Sequence, residues 1–340
     1  MINACLIGAG RIGRVHAKHI SECLDARLYS VVDPNEKVLQ EMAGKYGVKV
    51  TTTVEEALQD PKVDAVCIAA QTDQHCALIE AAARAGKPIF CEKPIDLDME
   101  KIDRCLEVLR VTGVPFLLGF NRRFDPSFQE LHRRLRRGDV GAIEQISITS
   151  RDFQLPSVDY LRTSGGLLRD MTIHDFDMMR WLLDDELTEV FVEGSCLIDP
   201  SIDSFGDLDT CAVCLRSERG AIGQIANSRR SVFGYDQRIE VFGAKGLLSA
   251  NNAVPDTLKF SSSTGEQTTS PYPSFPERYE VAYQREIDHF FTDVVKSGKK
   301  PLVTAEDGRK ALVIANAATD SYRKKQRISI DAGLINVSST

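Results

Sequence analysis

A glycine motif near the start of the chain constrains the fold more than any other feature of the sequence. Gly8, Gly10 and Gly13 have the spacing G-x-G-x-x-G, directly after a strand-like apolar run and at the start of a helix-like segment. In a strand–turn–helix unit the first glycine permits the tight turn, the second lets the backbone approach a pyrophosphate, and the third lets helix and strand pack closely. The spacing alone is common, but this context favours a dinucleotide site over an ordinary turn.

The chain then repeats the alternation of short apolar runs and helix-length stretches as far as about Gly119. The helical stretches cover 36–46, 74–85 and 99–112. Such alternation predicts right-handed crossovers and a parallel sheet with helices on both faces. We therefore expect an α/β fold that begins with a Rossmann dinucleotide-binding domain over residues 1–120.

Beyond that point strand-like runs follow one another with few helices between them, which favours an antiparallel or mixed sheet. A chain of 340 residues is also too long for one ordinary hydrophobic core. We expect residues 121–340 to form a second, α+β domain with a large, mostly antiparallel open sheet, for substrate binding and oligomerisation. Within it we predict a helix over 172–183, a long loop over 261–277, and closing helices over 282–296 and 305–323, which could pack back on the first domain.

The composition excludes several classes of protein. A net charge of -7 would repel a phosphate backbone, so we expect a small-molecule partner and no nucleic acid. No run approaches the roughly 18 apolar residues of a membrane helix. The nine cysteines are an odd number, and Cys5, Cys67 and Cys91 lie in apolar runs, so we expect a reducing cytoplasm. Alternation along a strand-like run points Cys211 and Cys214 to opposite faces, which argues against a zinc or redox pair.

The second strand-like run ends in Asp33, at the spacing of about 20 residues from the glycines expected for a ribose-binding carboxylate. That carboxylate can bind the two ribose hydroxyls and would repel a 2′-phosphate. Pro34 and Asn35 follow and supply no arginine to offset the repulsion. The sequence therefore favours NAD over NADP, although Asp33 could also be a solvated acid that opens an Asp-Pro-Asn turn.

Three further motifs carry a resemblance to a known family. They are FCEKP (90–94), GFNRRFDP (119–126) and SGGLLRDMTIHDFDMMRWLL (164–183). With them the chain resembles the glucose-fructose oxidoreductase and inositol dehydrogenase family (Gfo/Idh/MocA) over nearly its whole length. The runs NSRR and GYDQRIEVFG, within 227–243, look most similar to the myo-inositol 2-dehydrogenases of that family.

The resemblance implies a catalytic Lys-Asp-His set, which falls on Lys93, Asp170 and His174. Asp170 and His174 are four residues apart, so they share a helix face if the helix has begun by Asp170. A histidine suits removal of a hydroxyl proton, and a lysine at the end of a parallel strand could stabilise alkoxide charge. The alternatives are a solvated strand end and a surface Asp-His pair. A metal held by His174 with Asp170, Asp175 and Asp177 is also conceivable, but one histidine with scattered acids is a weak ligand set, and we expect no metal.

We also expect further residues to contact the cofactor or the substrate. The expected cofactor contacts are Gly8, Gly10, Arg11, Ile12, Gly13, Asp33, Ala70, Thr72, His75, Glu92 and Lys93. The expected substrate contacts are Lys93, Asn121, Arg122, Asp152, Asp170, Thr172, His174, Tyr235 and Tyr283. The chain has Ser150-Arg151-Asp152 where some inositol dehydrogenases have a histidine and an asparagine, so the stereoisomer stays open.

Together these features predict an NAD-dependent enzyme that oxidises a ring secondary hydroxyl of a cyclitol. Myo-inositol is the preferred substrate, 2-keto-myo-inositol (scyllo-inosose) the product, and myo-inositol catabolism the context. The alternatives are a dehydrogenase of another sugar, sugar acid or inositol isomer, and a dinucleotide-sensing regulator without turnover. A regulator would have no need for Lys93 and His174 together. The resemblance also implies a homotetramer.

Overall fold

The computed structural model of the protein describes residues 1–330. The chain forms two compact units, one of Met1–Asp125 with Val281–Arg309, the other of Pro126–Glu280 with the chain from Lys310 onward. We refer to them as unit 1 and unit 2. The last ten positions of the predicted second domain, 331–340, lie outside the described residues.

Unit 1 contains a six-stranded parallel sheet within the described residues. Its strands are β1 (Ile2–Ile7), β2 (Ala26–Val32), β3 (Lys49–Thr51), β4 (Ala65–Ile68), β5 (Ile89–Glu92) and β6 (Phe116–Gly119). The helices between them are α1 (Arg11–Glu22), α2 (Glu36–Tyr46), α3 (Val54–Gln59), α4 (Thr72–Arg84) and α5 (Met99–Thr112). The strand order β3-β2-β1-β4-β5-β6 confirms the predicted Rossmann fold.

Local signals fix where these helices begin. The side chains of Asn35 and Asp98 accept hydrogen bonds from first-turn N–H groups of α2 and α5. Such caps satisfy donors that have no partner inside the helix. This is why both helices have the bounds that the sequence predicts.

The strand order also places the site. The chain leaves β3 at one edge of the sheet and returns to β4, beside β1. In open parallel sheets a crevice forms where the order reverses, outside the carboxyl ends of the strands. The glycine loop after β1 and the segment after β4 therefore lie next to each other.

Unit 2 is built on strands β7 (Ile143–Arg151), β8 (Leu187–Ser195), β9 (Thr210–Ser217), β10 (Ile222–Ser228), β11 (Asp236–Gly243), β12 (Gly246–Ala250), β13 (Lys259–Ser262), β14 (Gly265–Thr268) and β15 (Ile328–Ser329). Seven of them form one sheet in the described part of the chain, in the order β12-β11-β7-β10-β9-β8-β15. Neighbours in this sheet run antiparallel, except that β7 and β10 are parallel. The predicted, mostly antiparallel open sheet is confirmed.

The remaining helices are α6 (Pro126–Arg136), α7 (Val158–Thr163), α8 (Leu167–Asp170), α9 (Thr172–Leu183), α10 (Phe275–Arg278), α11 (Glu280–Asp288) and α12 (Ala305–Lys324). The helix predicted over 172–183 is α9. On the sheet, alternate residues such as Ile148, Val213 and Ile225 are buried. Their neighbours on the opposite face are exposed along β9, β10 and β11, so that face is uncovered within residues 1–330.

Two predictions of secondary structure need correction. The stretch 261–277 is not one long loop, because β13 and β14 pair through a tight turn ahead of Gly265 and α10 follows. Both strands are exposed along their whole length, so no apolar alternation signals them. The helix predicted over 282–296 begins at Glu280 as α11 and continues as a π-helix over His289–Lys296.

Candidate active site

The glycine loop forms a close turn with one open side. Gly8 has φ +90°, and a Cβ there would lie 2.6 Å from the Ala69 carbonyl oxygen. A Cβ on Gly13 would lie 2.1 Å from the Gly8 carbonyl oxygen, so helix and loop meet backbone to backbone. A Cβ on Gly10 would meet nothing within 4 Å among the described residues. The loop therefore leaves room for a ligand only at Gly10, where the motif requires access for a pyrophosphate.

The residues around this opening fit the phosphates of a dinucleotide. Helix α1 begins at Arg11, immediately after Gly10, and a glycine at the cap position has no side chain with which to cap the helix. An uncapped helix start presents backbone N–H groups and the positive end of the helix dipole to an anion. Arg11 and Ile12 belong to this first turn.

Asp33 ties the loop to the end of β2. Its Oδ2 accepts a hydrogen bond from the Ala9 N–H at 2.8 Å, and its Oδ1 accepts one from the Asn35 N–H at 2.9 Å. An ionised carboxylate has about four acceptor sites, so each oxygen keeps capacity for a ribose hydroxyl. Asp33 thus opens the turn and also remains able to bind ribose.

The segment after β4 is held by a buried histidine. His75 in α4 places Nδ1 2.8 Å from the Pro94 carbonyl oxygen and Nε2 3.1 Å from the Ala70 carbonyl oxygen. These contacts join the ends of β4 and β5, while Thr72 lies at the start of α4. His75 therefore supports the backbone of the cofactor crevice, and its ring nitrogens face carbonyl groups of the protein.

Lys93 follows β5, next to a buried ionisable cluster in unit 1 that consists of His16, Glu92 and Glu286. Glu92 Oε1 lies 2.7 Å from His16 Nε2, and Glu92 Oε2 accepts the Lys93 N–H at 3.2 Å. Glu286 of α11 is fully buried, and neither of its carboxyl oxygens has a hydrogen-bond partner within residues 1–330. Burial, and after it the nearby Glu92 carboxylate, raises the pKa of Glu286 well above its usual value. No contiguous motif predicts that His16 and Glu286 lie near Glu92, because these residues are distant along the chain.

Three predicted substrate contacts in unit 1, Asn121, Arg122 and Tyr283, lie in buried positions. Asn121 begins the short 3-10 helix Asn121–Phe124 after β6, and its buried Nδ2 has no hydrogen-bond partner within the described residues. A buried amide without a partner is costly, so this position suits a ligand oxygen. Arg122 is next to it, whereas Arg123 binds Asp307 at 3.0 Å and so has a structural role. Tyr283 of α11 packs its ring against His16.

In unit 2, Asp170 and His174 flank a break between two helices. Helix α8 ends at Asp170 and α9 begins at Thr172, but Met171 between them keeps helical angles, φ -96° and ψ -55°. The two residues therefore do not share one uninterrupted helix, as the simplest sequence prediction requires, yet the chain keeps a helical course between them. His174 is partly exposed, while the residues on either side of it in α9 are buried.

The Asp170 carboxylate is held by two side chains. The Tyr160 hydroxyl donates to its Oδ1 at 2.8 Å, and both terminal nitrogens of Arg229 lie 3.2 Å from its Oδ2. Burial, and after it the Asp170 carboxylate, raises the pKa of Tyr160. Asp152, which follows β7, lies 3.9 Å from Arg229. Unit 2 thus brings Asp152 and Asp170 to the same guanidinium.

A buried polar network lies beneath the start of α9. Asp175 accepts from Ser150 Oγ at 2.6 Å and from Asn227 Nδ2 at 2.8 Å. Thr172 is fully buried and donates its hydroxyl to Asn227 Oδ1 at 2.6 Å. This hydroxyl supports the site from inside unit 2, and contact of Thr172 with a substrate stays a prediction. Tyr235, ahead of β11, is nearly buried with its ring edge against Tyr279.

Residues 1–330 contain no group of three or more His, Cys, Asp or Glu side chains placed to hold a metal ion. None of the helices in this range is long and apolar enough to cross a membrane.

The chain is similar to known proteins over nearly its whole length. Residues 2–120 match the model of the oxidoreductase family with an NAD-binding Rossmann fold, and residues 128–249 match that of the GFO/IDH/MocA C-terminal domain. Myo-inositol 2-dehydrogenase of Thermotoga maritima is 43% identical over 327 residues, 96% of this chain and 98% of that protein. Inositol 2-dehydrogenase of Rhizobium meliloti is 45% identical, again over 96% of this chain and 98% of that protein. The structure of scyllo-inositol dehydrogenase from Lactobacillus casei, with NAD(H) and scyllo-inositol bound, has a TM-score of 0.91 at 29% identity and covers 97% of this chain and 99% of that one.

Proposed function

This chain belongs to the GFO/IDH/MocA oxidoreductase family, and on that basis we propose that it oxidises a ring secondary hydroxyl of a cyclitol with NAD⁺. Myo-inositol is the preferred substrate and 2-keto-myo-inositol the product. The observation that carries the proposal is the 43% and 45% identity to inositol 2-dehydrogenases over nearly the whole chain. The crevice of unit 1 fits the cofactor, because its one open side lies at Gly10 beside the start of α1.

In the proposed mechanism three side chains act on the reacting alcohol. His174, which is partly exposed, accepts the hydroxyl proton. Asp170 stabilises the imidazolium that forms, and the Lys93 ammonium stabilises negative charge on the substrate oxygen. Bound NAD⁺ supplies the hydride acceptor. Removal of the proton as hydride leaves converts the CH–OH group to a ketone.

The proposed substrate contacts are polar groups that suit a polyol. Asn121 offers a buried amide nitrogen, Nδ2, that has no hydrogen-bond partner among the described residues, and Asp152 offers a carboxylate that is partly exposed. Arg122, Thr172, Tyr235 and Tyr283 complete the proposed set. A cyclitol presents many hydroxyls and little apolar surface, so it requires donors and acceptors of this kind.

A cyclitol panel tests the proposed function. We expect NADH absorbance to appear when the purified protein and NAD⁺ are mixed with myo-inositol, at a higher kcat/KM than with scyllo-inositol, other isomers or hexoses. Faster turnover of another isomer or of a sugar would make that compound the assigned substrate. Among these alternatives, scyllo-inositol is supported by the similar Lactobacillus casei structure, which has scyllo-inositol bound. Binding of NADH without turnover on any member would favour the regulator.

Asp33 gives a separate test of cofactor choice. We expect Asp33→Ser with Pro34→Arg to raise the ratio of kcat/KM for NADP⁺ over NAD⁺ at least about tenfold, which corresponds to about 1.4 kcal/mol. The serine hydroxyl can still accept the Ala9 N–H, so the loop keeps a tie to β2. The single variant Pro34→Arg shows the effect of the added arginine on cofactor choice while the Asp33 carboxylate is still present. An unchanged ratio in the double variant would limit Asp33 to its role in the turn.

We also propose a cytoplasmic homotetramer that takes part in myo-inositol catabolism. The sheet of unit 2 exposes the large apolar residues Ile222, Phe242 and Leu247 on β10, β11 and β12. Burial of an uncovered sheet face against a second copy is the usual remedy for such exposure. All nine cysteines are unpaired, which suits a reducing compartment. A solution mass of about four chains supports the tetramer, and a monomer at micromolar concentration would contradict it.

A further inference from the structure

A buried arginine lies between two carboxylates of the proposed site. The side chain of Arg229 is 1% exposed, both of its terminal nitrogens lie 3.2 Å from Asp170 Oδ2, and Nη1 lies 3.9 Å from Asp152 Oδ2. Its backbone N–H donates to the Asp209 carbonyl oxygen at 2.8 Å, which fixes the main chain at the same point. Neither the cofactor motif nor the Lys-Asp-His set includes this residue.

The sheet places this cation beside the carboxylates. Strands β7 and β10 are parallel, with Arg151 opposite Ser228, so the next residues, Asp152 and Arg229, leave the sheet side by side. The Asp152 N–H donates to the Ser228 carbonyl oxygen at 2.9 Å and continues the pairing by one residue. An antiparallel pairing would have sent these two side chains to opposite ends of the strands. The parallel pairing of β7 with β10 therefore brings Asp152 close to Arg229.

The charges around Arg229 favour its ionised form. Burial opposes a charged guanidinium, but Asp170, Asp152 and Asp207 together raise the pKa of Arg229 above its usual value. Asp170 in turn is contacted by Arg229 and, through its other oxygen, by the Tyr160 hydroxyl. A carboxylate bound at both oxygens has little freedom to rotate, because either rotation breaks a charge-assisted hydrogen bond.

We propose that Arg229 is a positioning residue, which holds Asp170 as the charged partner of His174 and Asp152 as a charged acceptor for a substrate hydroxyl. The inference rests on the proposed function, since it takes the roles of Asp170, His174 and Asp152 from there. One buried cation then serves both catalysis, through Asp170, and substrate recognition, through Asp152. Loss of the cation should consequently change kcat and KM together.

The test compares Arg229→Gln and Arg229→Lys with a matched control. We expect Arg229→Gln to lower kcat/KM for the best cyclitol about 100-fold or more, with a lower kcat and a higher KM, and Arg229→Lys to recover part of the loss. A nearby positive charge eases deprotonation of neighbouring groups, so its removal should move the acid limb of the kcat/KM profile upward by about one pH unit. NADH affinity should stay within about twofold, because unit 1 carries the cofactor residues.

The matched control is Arg180→Gln, which removes another arginine–carboxylate pair from unit 2. Arg180 is 9% exposed and binds Glu186 at 2.7 Å, and Glu186 keeps Lys310 as a second partner. We expect this variant to lose some stability but to keep the wild-type pH profile. Tyr160→Phe, which removes the donor to Asp170 Oδ1, should lower kcat about tenfold and gives a second variant if Arg229→Gln does not fold. Wild-type kinetics and an unshifted acid limb in folded Arg229→Gln would overturn the proposal; if Arg229→Gln does not fold, wild-type kinetics in both Arg229→Lys and Tyr160→Phe would overturn it.

A double-mutant cycle of Arg229→Gln and Asp170→Asn separates this proposal from the proposed function. The cycle uses the free energy of unfolding in urea and needs no substrate. We expect a favourable coupling free energy between the two residues at pH 7. An inactive wild-type protein with this coupling would reject the proposed function and retain Arg229 as the residue that holds Asp170. An active wild-type protein without the coupling would reject the positioning role alone.

Discussion

Replacement of His174 by alanine is expected to lower kcat on the best cyclitol at least about 100-fold, while the affinity for NADH stays within about twofold. The expected loss is large because an alcohol can release hydride only as its proton leaves, and the alanine variant has no base at that position. NADH affinity should persist because the glycine loop, Asp33 and Ala70 all belong to unit 1, whereas His174 belongs to unit 2. Initial rates and NADH fluorescence measure the two quantities.

A second histidine of unit 2 provides the control for this experiment. His132 lies in α6 and stacks its ring on Trp181 at 4.1 Å between centroids. His132→Ala should lose some stability through this contact but keep kcat near the wild-type value. If His174→Ala turned over at a near-normal rate, or if both variants lost activity equally, His174 would not be the base.

Alanine at Gly13 is expected to act mainly on stability, and alanine at Gly10 mainly on cofactor binding. Gly13→Ala is expected to lower the free energy of unfolding by about 3 kcal/mol, because the new Cβ would lie 2.1 Å from the Gly8 carbonyl oxygen and the backbone must move. Gly10→Ala adds a methyl group to open space, so it should cost about 1 kcal/mol or less. NADH affinity should nevertheless fall about tenfold or more in Gly10→Ala, since that space is where the pyrophosphate approaches.

Urea unfolding and NADH fluorescence distinguish the two glycine variants. Full stability in Gly13→Ala would contradict the close approach of helix and loop. Wild-type NADH affinity in a folded Gly10→Ala protein would mean that the pyrophosphate binds elsewhere.

The fold was predictable where the sequence carries strong local periodicity or capping. The bounds of α2 and α5 match the prediction because amphipathic spacing coincides with the caps Asn35 and Asp98. Helix α6 was missed although its buried residues, Phe128, Leu131 and Leu135, have the i, i+3, i+7 spacing of an amphipathic helix. The sequence therefore carried a periodic signal for α6, set among many arginines.

The site was predictable where a motif is contiguous and not where contacts are distant along the chain. The expectation for the glycine loop follows from the residues and their context, whereas the expectation for Lys93 comes from the resemblance carried by the motif FCEKP. Arg229 lies 59 residues from Asp170, and His16 lies 76 residues from Glu92. Nothing in a single sequence pairs such residues, because the pairing depends on strand order and on the parallel register of β7 and β10.

The buried carboxyl group of Glu286 has a consequence for folding itself. Its pKa in the folded protein lies well above its usual value, so at neutral pH the unfolded chain carries this group ionised and folding favours proton uptake. The contribution of Glu286 to stability is therefore fully present below the unfolded pKa, and it is lost as pH rises through the folded pKa. As far as this residue is concerned, alkaline solution opposes folding and mildly acidic solution favours it. Unit 1 thus exchanges a proton with the solvent each time it folds or unfolds.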